Sequence, residues 1–233
     1  PALPSPYFKL ILGASNHDAP AIRNLAYIFS RAGAAALDFA PSLPILAAVL
    51  SATAALDPRD VPTLMVSVNT ADLDIHFRKA YFDPARCPAD CPRPCAPSCP
   101  AAAIPQRTAP NTGIDALKCY GCARCVPSCP LGLIDTASYP TDPAPAIVGA
   151  GLNAPVTAVE IHTAATFSPS GDDFDCAAFR AAADDVTRAF AASGRGGEFI
   201  VAVSFPDVVG GRVRLRAAVR GWLRAVGAAA AAA

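Results

Sequence analysis

Between Cys87 and Cys129 the chain places eight of its nine cysteines, in two blocks that each end in Cys-Pro. The second block reads Cys119-Tyr-Gly-Cys122-Ala-Arg-Cys125-Val-Pro-Ser-Cys129-Pro130. This is the C-x2-C-x2-C-x3-C-P run that holds iron–sulfur clusters through cysteine thiolates in bacterial-type ferredoxins. The first block, Cys87, Cys91, Cys95 and Cys99-Pro100, stretches the pattern by spacing every cysteine with three residues. Eight thiolates fill two four-cysteine sites with none left over. The segment therefore folds around inorganic cofactors, and its chemistry is the movement or sensing of single electrons.

The blocks form an internal repeat. Cys95 and Cys125 lie thirty residues apart, as do Cys99 and Cys129, Pro100 and Pro130, and Ile104 and Ile134. In ferredoxins with this repeat, three close cysteines of one half share a cluster with the Cys-Pro cysteine of the other half. The expected ligand sets are Cys119, Cys122, Cys125 and Cys99 for one 4Fe–4S cluster, and Cys87, Cys91, Cys95 and Cys129 for the second. Gly121 permits a positive φ inside the tight loop. Pro100 and Pro130 remove a backbone donor and stop the chain from running on as helix. Ile104 and Ile134 are expected to form apolar floors that exclude water and tune the potential.

Zinc would call for paired C-x2-C units separated by a longer spacer, often with histidine, and neither block divides that way. A disulfide framework suits small secreted domains without a core; at 233 residues and 53% hydrophobic this chain has ample apolar material. Cys176 stands alone at an expected helix start and reads as a buried structural thiol.

Formal net charge is zero, which leaves no basic stripe to neutralise phosphates and argues against a nucleic-acid partner. The longest apolar run, Leu43 to Leu56, is too short to span a bilayer, so no transmembrane segment is expected. The chain opens on Pro1, which points to processing or to a preceding segment, and no targeting peptide can be read. It closes on a low-complexity run, Ala228–Ala233.

Outside the cysteines, strand and helix alternate. Strands are expected at Phe8–Ala14, Ala36–Phe39, Thr63–Val68, Val156–His162 and Phe199–Ser204, nearly continuous in apolar residues as buried parallel strands are. Helices are expected from Asp18 to Arg31, from a Ser42 cap to Leu56, over Asp175–Ala192, and over Arg212–Val226, a basic amphipathic segment containing Trp222. The fold class is α/β: a parallel βα-repeat domain, partly barrel-like, with a bacterial-type 2[4Fe-4S] ferredoxin domain inserted between its third and fourth strands. The expected segments are 1–80 and 150–226 for the two halves of the β/α domain, 81–140 for the insertion, and 227–233 for the alanine tail. Five βα units cannot close an eight-stranded barrel, so either the chain is truncated or the sheet is open. Functional groups belong at the strand C-termini, where Ser15, Asn16, Asp38, Ser67, Asn69, Glu160, His162 and Ser204 fall. Glu160 and His162, two apart, share a strand face. They either bind a substrate, cofactor or quinone-like ligand, or hydrogen-bond loops at the strand end.

The segment Ile75-His-Phe-Arg-Lys-Ala-Tyr-Phe-Asp-Pro84, running into Cys87–Cys95, resembles the light-dependent period protein family, LdpA, of cyanobacteria and photosynthetic eukaryotes. Lys118–Cys125, Val159–Thr163, Leu10–Ser15 and Ala21–Leu25 are similar to that family as well. The likeness covers the chain to about Ser204, and it implies a two-cluster protein that reports photosynthetic redox state, adjusts circadian period in cyanobacteria and works with protein partners. Family members continue beyond the end of this chain, which favours truncation. The resemblance places the protein in the chloroplast stroma or peripherally on thylakoids in an alga or plant, and in the cytoplasm of a cyanobacterium.

His76, Arg78 and Lys79 precede the first block. They read either as a docking patch for an acidic, ferredoxin-type donor, a patch whose charge would also favour a reduced cluster, or as a solvated linker. Two functions are carried forward. One is a non-catalytic electron-transfer or redox-sensing protein acting through partners. The other is an oxidoreductase, or a subunit of one, whose clusters feed a substrate or flavin at the strand ends. The absence of a G-x-G-x-x-G loop after a strand weighs against the second.

Overall fold

The computed structural model describes residues 7–69, 77–105, 112–139, 141–148, 156–163, 176–194, 199–204, 219–221 and 224. Five strands make a parallel sheet: β1 (Lys9–Gly13), β2 (Ala36–Phe39), β3 (Thr63–Asn69), β6 (Val156–His162) and β7 (Ile200–Ser204), side by side in chain order. Two further strands, β4 (Arg78–Tyr81) and β5 (Asp135–Ser138), pair antiparallel as a separate ribbon, and the cysteine region lies between them.

The sheet's two faces follow from the period-2 alternation of a strand. Leu12, Leu37, Phe39, Leu64, Val66, Val68, Val159 and Ile161 point one way, into a single apolar core. Four helices supply the rest of that core: α1 (Ala19–Arg31), α2 (Leu43–Thr53), α3 (Ala144–Val148) and α4 (Cys176–Ala192). Each fully buried Leu, Ile or Phe contributes roughly 1.5–3 kcal/mol, so this face carries most of the stability. The other face is polar and holds Lys9, Asp38, Ser67, Glu160 and His162, aligned by the registers Asp38↔Met65, Ser67↔Glu160 and Asn69↔His162.

The helix starts show where capping chemistry holds and where it does not. Asp18 accepts the Ala21 N–H at 3.1 Å, closing the first turn of α1. Ser42 occupies the equivalent place before α2, but its side chain makes no capping hydrogen bond. The helix also ends at Thr53, short of the expected Leu56, where Thr53 Oγ1 donates to the Val49 and Leu50 carbonyls. Among the described strands and α-helices, three were not expected: β4, β5 and α3. Of the closing helix expected at Arg212–Val226, only residues 219–221 and 224 are among those described, and Val219 packs against the core. Trp222 and the side chain of Cys176 lie outside the described residues.

The β4–β5 ribbon is rooted on the C-terminal ends of the sheet strands. Tyr139 donates its hydroxyl to the Ala14 carbonyl (3.0 Å) and accepts from Ser15 Oγ (2.9 Å). Phe77, fully buried, packs edge-on to His162 with ring centroids 5.1 Å apart. The His17 N–H donates to the Leu117 carbonyl at 3.2 Å. These contacts set the cysteine unit against the sheet edge where α/β proteins carry their chemistry.

Candidate metal centre

The thirty-residue repeat in the sequence recurs in the backbone. Arg93 and Ala123 have positive φ (51° and 59°), as do Ala102 and Gly132 (48° and 60°). The Ala96 N–H reaches the Arg93 carbonyl as the Val126 N–H reaches that of Ala123, each at 3.0 Å. The Ala103 N–H donates to Cys99 Sγ at 3.3 Å, and the Leu133 N–H to Cys129 Sγ at 3.4 Å. Left-handed turns at non-glycine residues are costly. Their recurrence at matched positions shows two copies of one loop wound around something that repays the strain.

Each copy borders an enclosed space. Cys99, Cys119, Cys122 and Cys125 line one, with Ala80, Ala103, Ile104 and Ile114 as apolar wall. Cys87, Cys91, Cys95 and Cys129 line the other, walled by Phe82, Leu131, Leu133 and Ile134. Each has a cavity volume of about 10 Å³, and the equal sizes mark them as counterparts. In each, the fourth cysteine belongs to the other block. Ile104 and Ile134 are both buried. Among the described residues no three His, Cys, Asp or Glu side chains lie close enough to hold a single metal ion; the cysteines stand apart around a space instead.

The electrostatics fit a cofactor that takes thiolates. Burial pushes the Cys125 thiol up to about 11 and raises Cys95 as well, so at neutral pH these thiols surrender their protons only to a bound metal. Burial also pushes Cys129 up, but the amides of Leu133, Leu131, Ile134 and Gly132 outweigh it and bring Cys129 below the usual thiol value. The Ala80 N–H donates to Cys119 Sγ at 3.3 Å. Amides aimed at sulfur in an apolar enclosure are the donor set an iron–sulfur cluster requires.

Gly121 is the tightest point of the second loop. Its φ is +76°, and a Cβ added there would stand 2.1 Å from the Arg78 carbonyl oxygen. Gly121→Ala combines a left-handed penalty of roughly 1–3 kcal/mol with a backbone clash between the loop and β4. The expected result is a fall in bound iron through loss of the Cys119-side site, read as iron content and by electron paramagnetic resonance of the reduced protein. Full iron content in the variant would show that the loop has freedom the structure denies it.

The remaining candidates fall in two groups. His76 lies outside the described residues. Arg78 is partly buried, with Nε finding no hydrogen-bond partner. Lys79, read as either a docking charge or part of a solvated linker, is half-buried: Nζ donates to the carbonyls of Ser15 (3.0 Å), Cys119 (2.8 Å) and Ala116, and lies 3.2 Å from His17 Nδ1. Burial lowers Lys79 from the usual lysine value, against Cys119 and Asp115, which raise it.

On the sheet, Glu160 and His162 share the polar face, with His162 Nε2 4.0 Å from Glu160 Oε2. Asn69 Oδ1 accepts from Thr141 Oγ1 at 2.5 Å. Glu160 also pairs with Lys9, which reaches Asp38 at 3.1 Å, while Ser67 Oγ donates to Asp38 Oδ1 at 2.5 Å. Burial raises Asp38 to about 7 against the pull of Ser67 and Lys9; Glu160, although burial raises it too, is drawn down to about 2 by Asp38 and Lys9. Sequence reading missed Lys9, His17, Arg93 and Tyr139. The one signal available was a lysine inside an otherwise apolar strand.

Matched four-cysteine enclosures with amides turned to sulfur define an iron–sulfur protein built on a parallel α/β sheet. The sequence profile of the LdpA Fe–S cluster-binding domain matches residues 87–140. The chain belongs to the LdpA family: it is 47% identical over 163 residues to Light dependent period A of Synechococcus elongatus. That match covers 67% of this chain and 44% of the relative, so the chain spans less than half the length of the protein it resembles. No solved structure matches it. No helix among the described residues is long and apolar enough to cross a membrane.

Proposed function

We propose that the chain holds two 4Fe–4S clusters, one on Cys99, Cys119, Cys122 and Cys125 and the other on Cys87, Cys91, Cys95 and Cys129. The cysteine unit is a ferredoxin-like insertion, residues 81–140, in a partly barrel-like β/α domain. Its role is electron transfer or redox sensing tied to photosynthetic redox state and light-dependent timing, delivered through protein partners at the chloroplast stroma or thylakoid surface, or in the cytoplasm of a cyanobacterium. The observation that carries this reading is the pair of equal, apolar enclosures with four cysteines each. When bound, the clusters supply reversible one-electron chemistry. The residues of this chain exclude water from them, hydrogen-bond their ligands and fix them against the strand ends.

Anaerobically prepared protein should contain about eight iron and about eight acid-labile sulfide per chain. Zinc without sulfide would refute the assignment.

One observation favours the oxidoreductase reading as a second choice. An open cavity of about 410 Å³ lies at the strand ends, lined by His17, Ser42, Tyr139 and Thr141 among others, and Ser42 Oγ is buried there without a partner. A flavin absorption spectrum in the purified protein, or turnover with an electron donor, would put that reading first.

A further inference from the structure

The two enclosures match in size, in their cysteines and in the amide bonds Ala103–Cys99 and Leu133–Cys129. Their nearby cations do not match. Lys79 donates directly to the carbonyl of a cavity cysteine, Cys119, and to the Ala116 carbonyl three residues before it. Three backbone carbonyls surround its Nζ, counting Ser15, and they consume the three N–H donors that only an ammonium offers. The positive charge is thus pinned in a half-buried place where solvent screens it weakly. Arg93, the buried cation of the first block, is turned elsewhere. Its guanidinium donates to Pro105 O (3.2 Å) and Thr112 O (2.6 Å) and lies 5.8 Å from the centre of the Phe82 ring. Phe82 is itself a wall of that cavity, but the guanidinium's hydrogen bonds go to Pro105 and Thr112 and not to the backbone of a cavity cysteine.

We infer that Lys79 is a positioning residue that makes the two clusters unequal, holding the Cys99/Cys119/Cys122/Cys125 cluster at the higher reduction potential so that it takes the first electron. Reduction adds negative charge, and a fixed cation against the ligand loop stabilises the reduced state more than the oxidised one. Cys122 is the exposed cysteine of the eight. The first electron therefore rests on a cluster with one ligand open to solvent. The same ammonium grips the Ser15 carbonyl beyond the end of β1, tying this cluster to the sheet edge.

This inference rests on the two-cluster reading, and iron and sulfide analysis separates failure of the one from failure of the other. The experiment is a reductive titration of the anaerobic, full-length holoprotein, followed by electron paramagnetic resonance. Wild type should show two resolved midpoints, and Cys122→Ser should alter the signal that appears at the higher one. Lys79→Met should move only that higher midpoint to a more negative value, and Lys79→Arg should restore most of the difference. The inference is overturned if the higher midpoint belongs to the other cluster, or if Lys79→Met leaves both midpoints in place or moves them equally. It is also overturned if Lys79→Met loses the cluster and Lys79→Arg does not retain it, since Lys79 would then serve structure alone. Protein with normal stability but no sulfide would remove the two-cluster reading and this inference with it.

Discussion

Replacing Cys129 by Ser is expected to abolish the cluster of the first block, although Cys129 belongs to the second. Its Sγ faces the enclosure of Cys87, Cys91 and Cys95, and the loop that follows turns its amides back onto that sulfur. A serine hydroxyl matches the thiol in shape but is a far poorer ligand for iron, so three thiolates remain for four corners. Iron and sulfide should fall to about half, from about eight of each per chain. One of the two signals of the reduced protein should disappear. Cys99→Ser should give the mirror result, removing the cluster of Cys119, Cys122 and Cys125. Loss of only the second-block cluster in Cys129→Ser would show that each block binds its own four cysteines.

The cysteine spacing made the centre legible because a cluster imposes local geometry. Three ligands within one short loop must sit at fixed intervals, and a second copy of the loop repeats them at a constant offset. β2, β3 and β6 were readable because their core-facing residues are all apolar and the opposite face adds Ala36, Met65 and Ala158 to its few polar groups, which leaves the runs mostly apolar. Asp38, Ser67 and Glu160 stood out as polar residues near the ends of those strands. Their partnership did not, because Lys9 and Glu160 are 151 residues apart and meet only once the strand order is known.

The missed elements share a cause: their stability comes from tertiary contacts and not from a local pattern. β4 and β5 are four-residue strands of mixed polarity, formed where the two ends of the cysteine unit come together. α3 is five residues long and begins beside Pro143 and Pro145, residues that a first helical turn tolerates but that do not announce a helix. Its Ala146 and Ile147 are fully buried, and that burial is what holds it. The surroundings of Lys79 were hidden for the same reason. Three basic residues within four positions suggest a charged surface, yet carbonyls from two remote loops enclose the third.

The polar face of the sheet carries the second large effect. Lys9 sits between two buried carboxylates, Asp38 at 1% exposure and Glu160 at 7%. Removing one partner of a buried ion pair leaves uncompensated charge and costs roughly 3–5 kcal/mol. Lys9 keeps some solvent contact, so Lys9→Met should destabilise by about 3 kcal/mol, read from the midpoint of denaturant unfolding. The pair also sets a pH dependence. Asp38 is raised in the folded state, so its contribution is complete below its unfolded value near 3.8 and is lost as pH rises through about 7. Glu160 is lowered, so its contribution is present above 4.5 and is lost as pH falls toward about 2. The network is therefore most favourable in mildly acid solution and weakens toward pH 8. Asp38→Asn removes the group responsible for the alkaline side. Relative to wild type it should fare better at pH 8 than at pH 5, with the cluster content equal in both proteins. An unchanged difference between the two pH values would mean that the proton is not held between Asp38 and Glu160, and that Lys9 neutralises both carboxylates throughout.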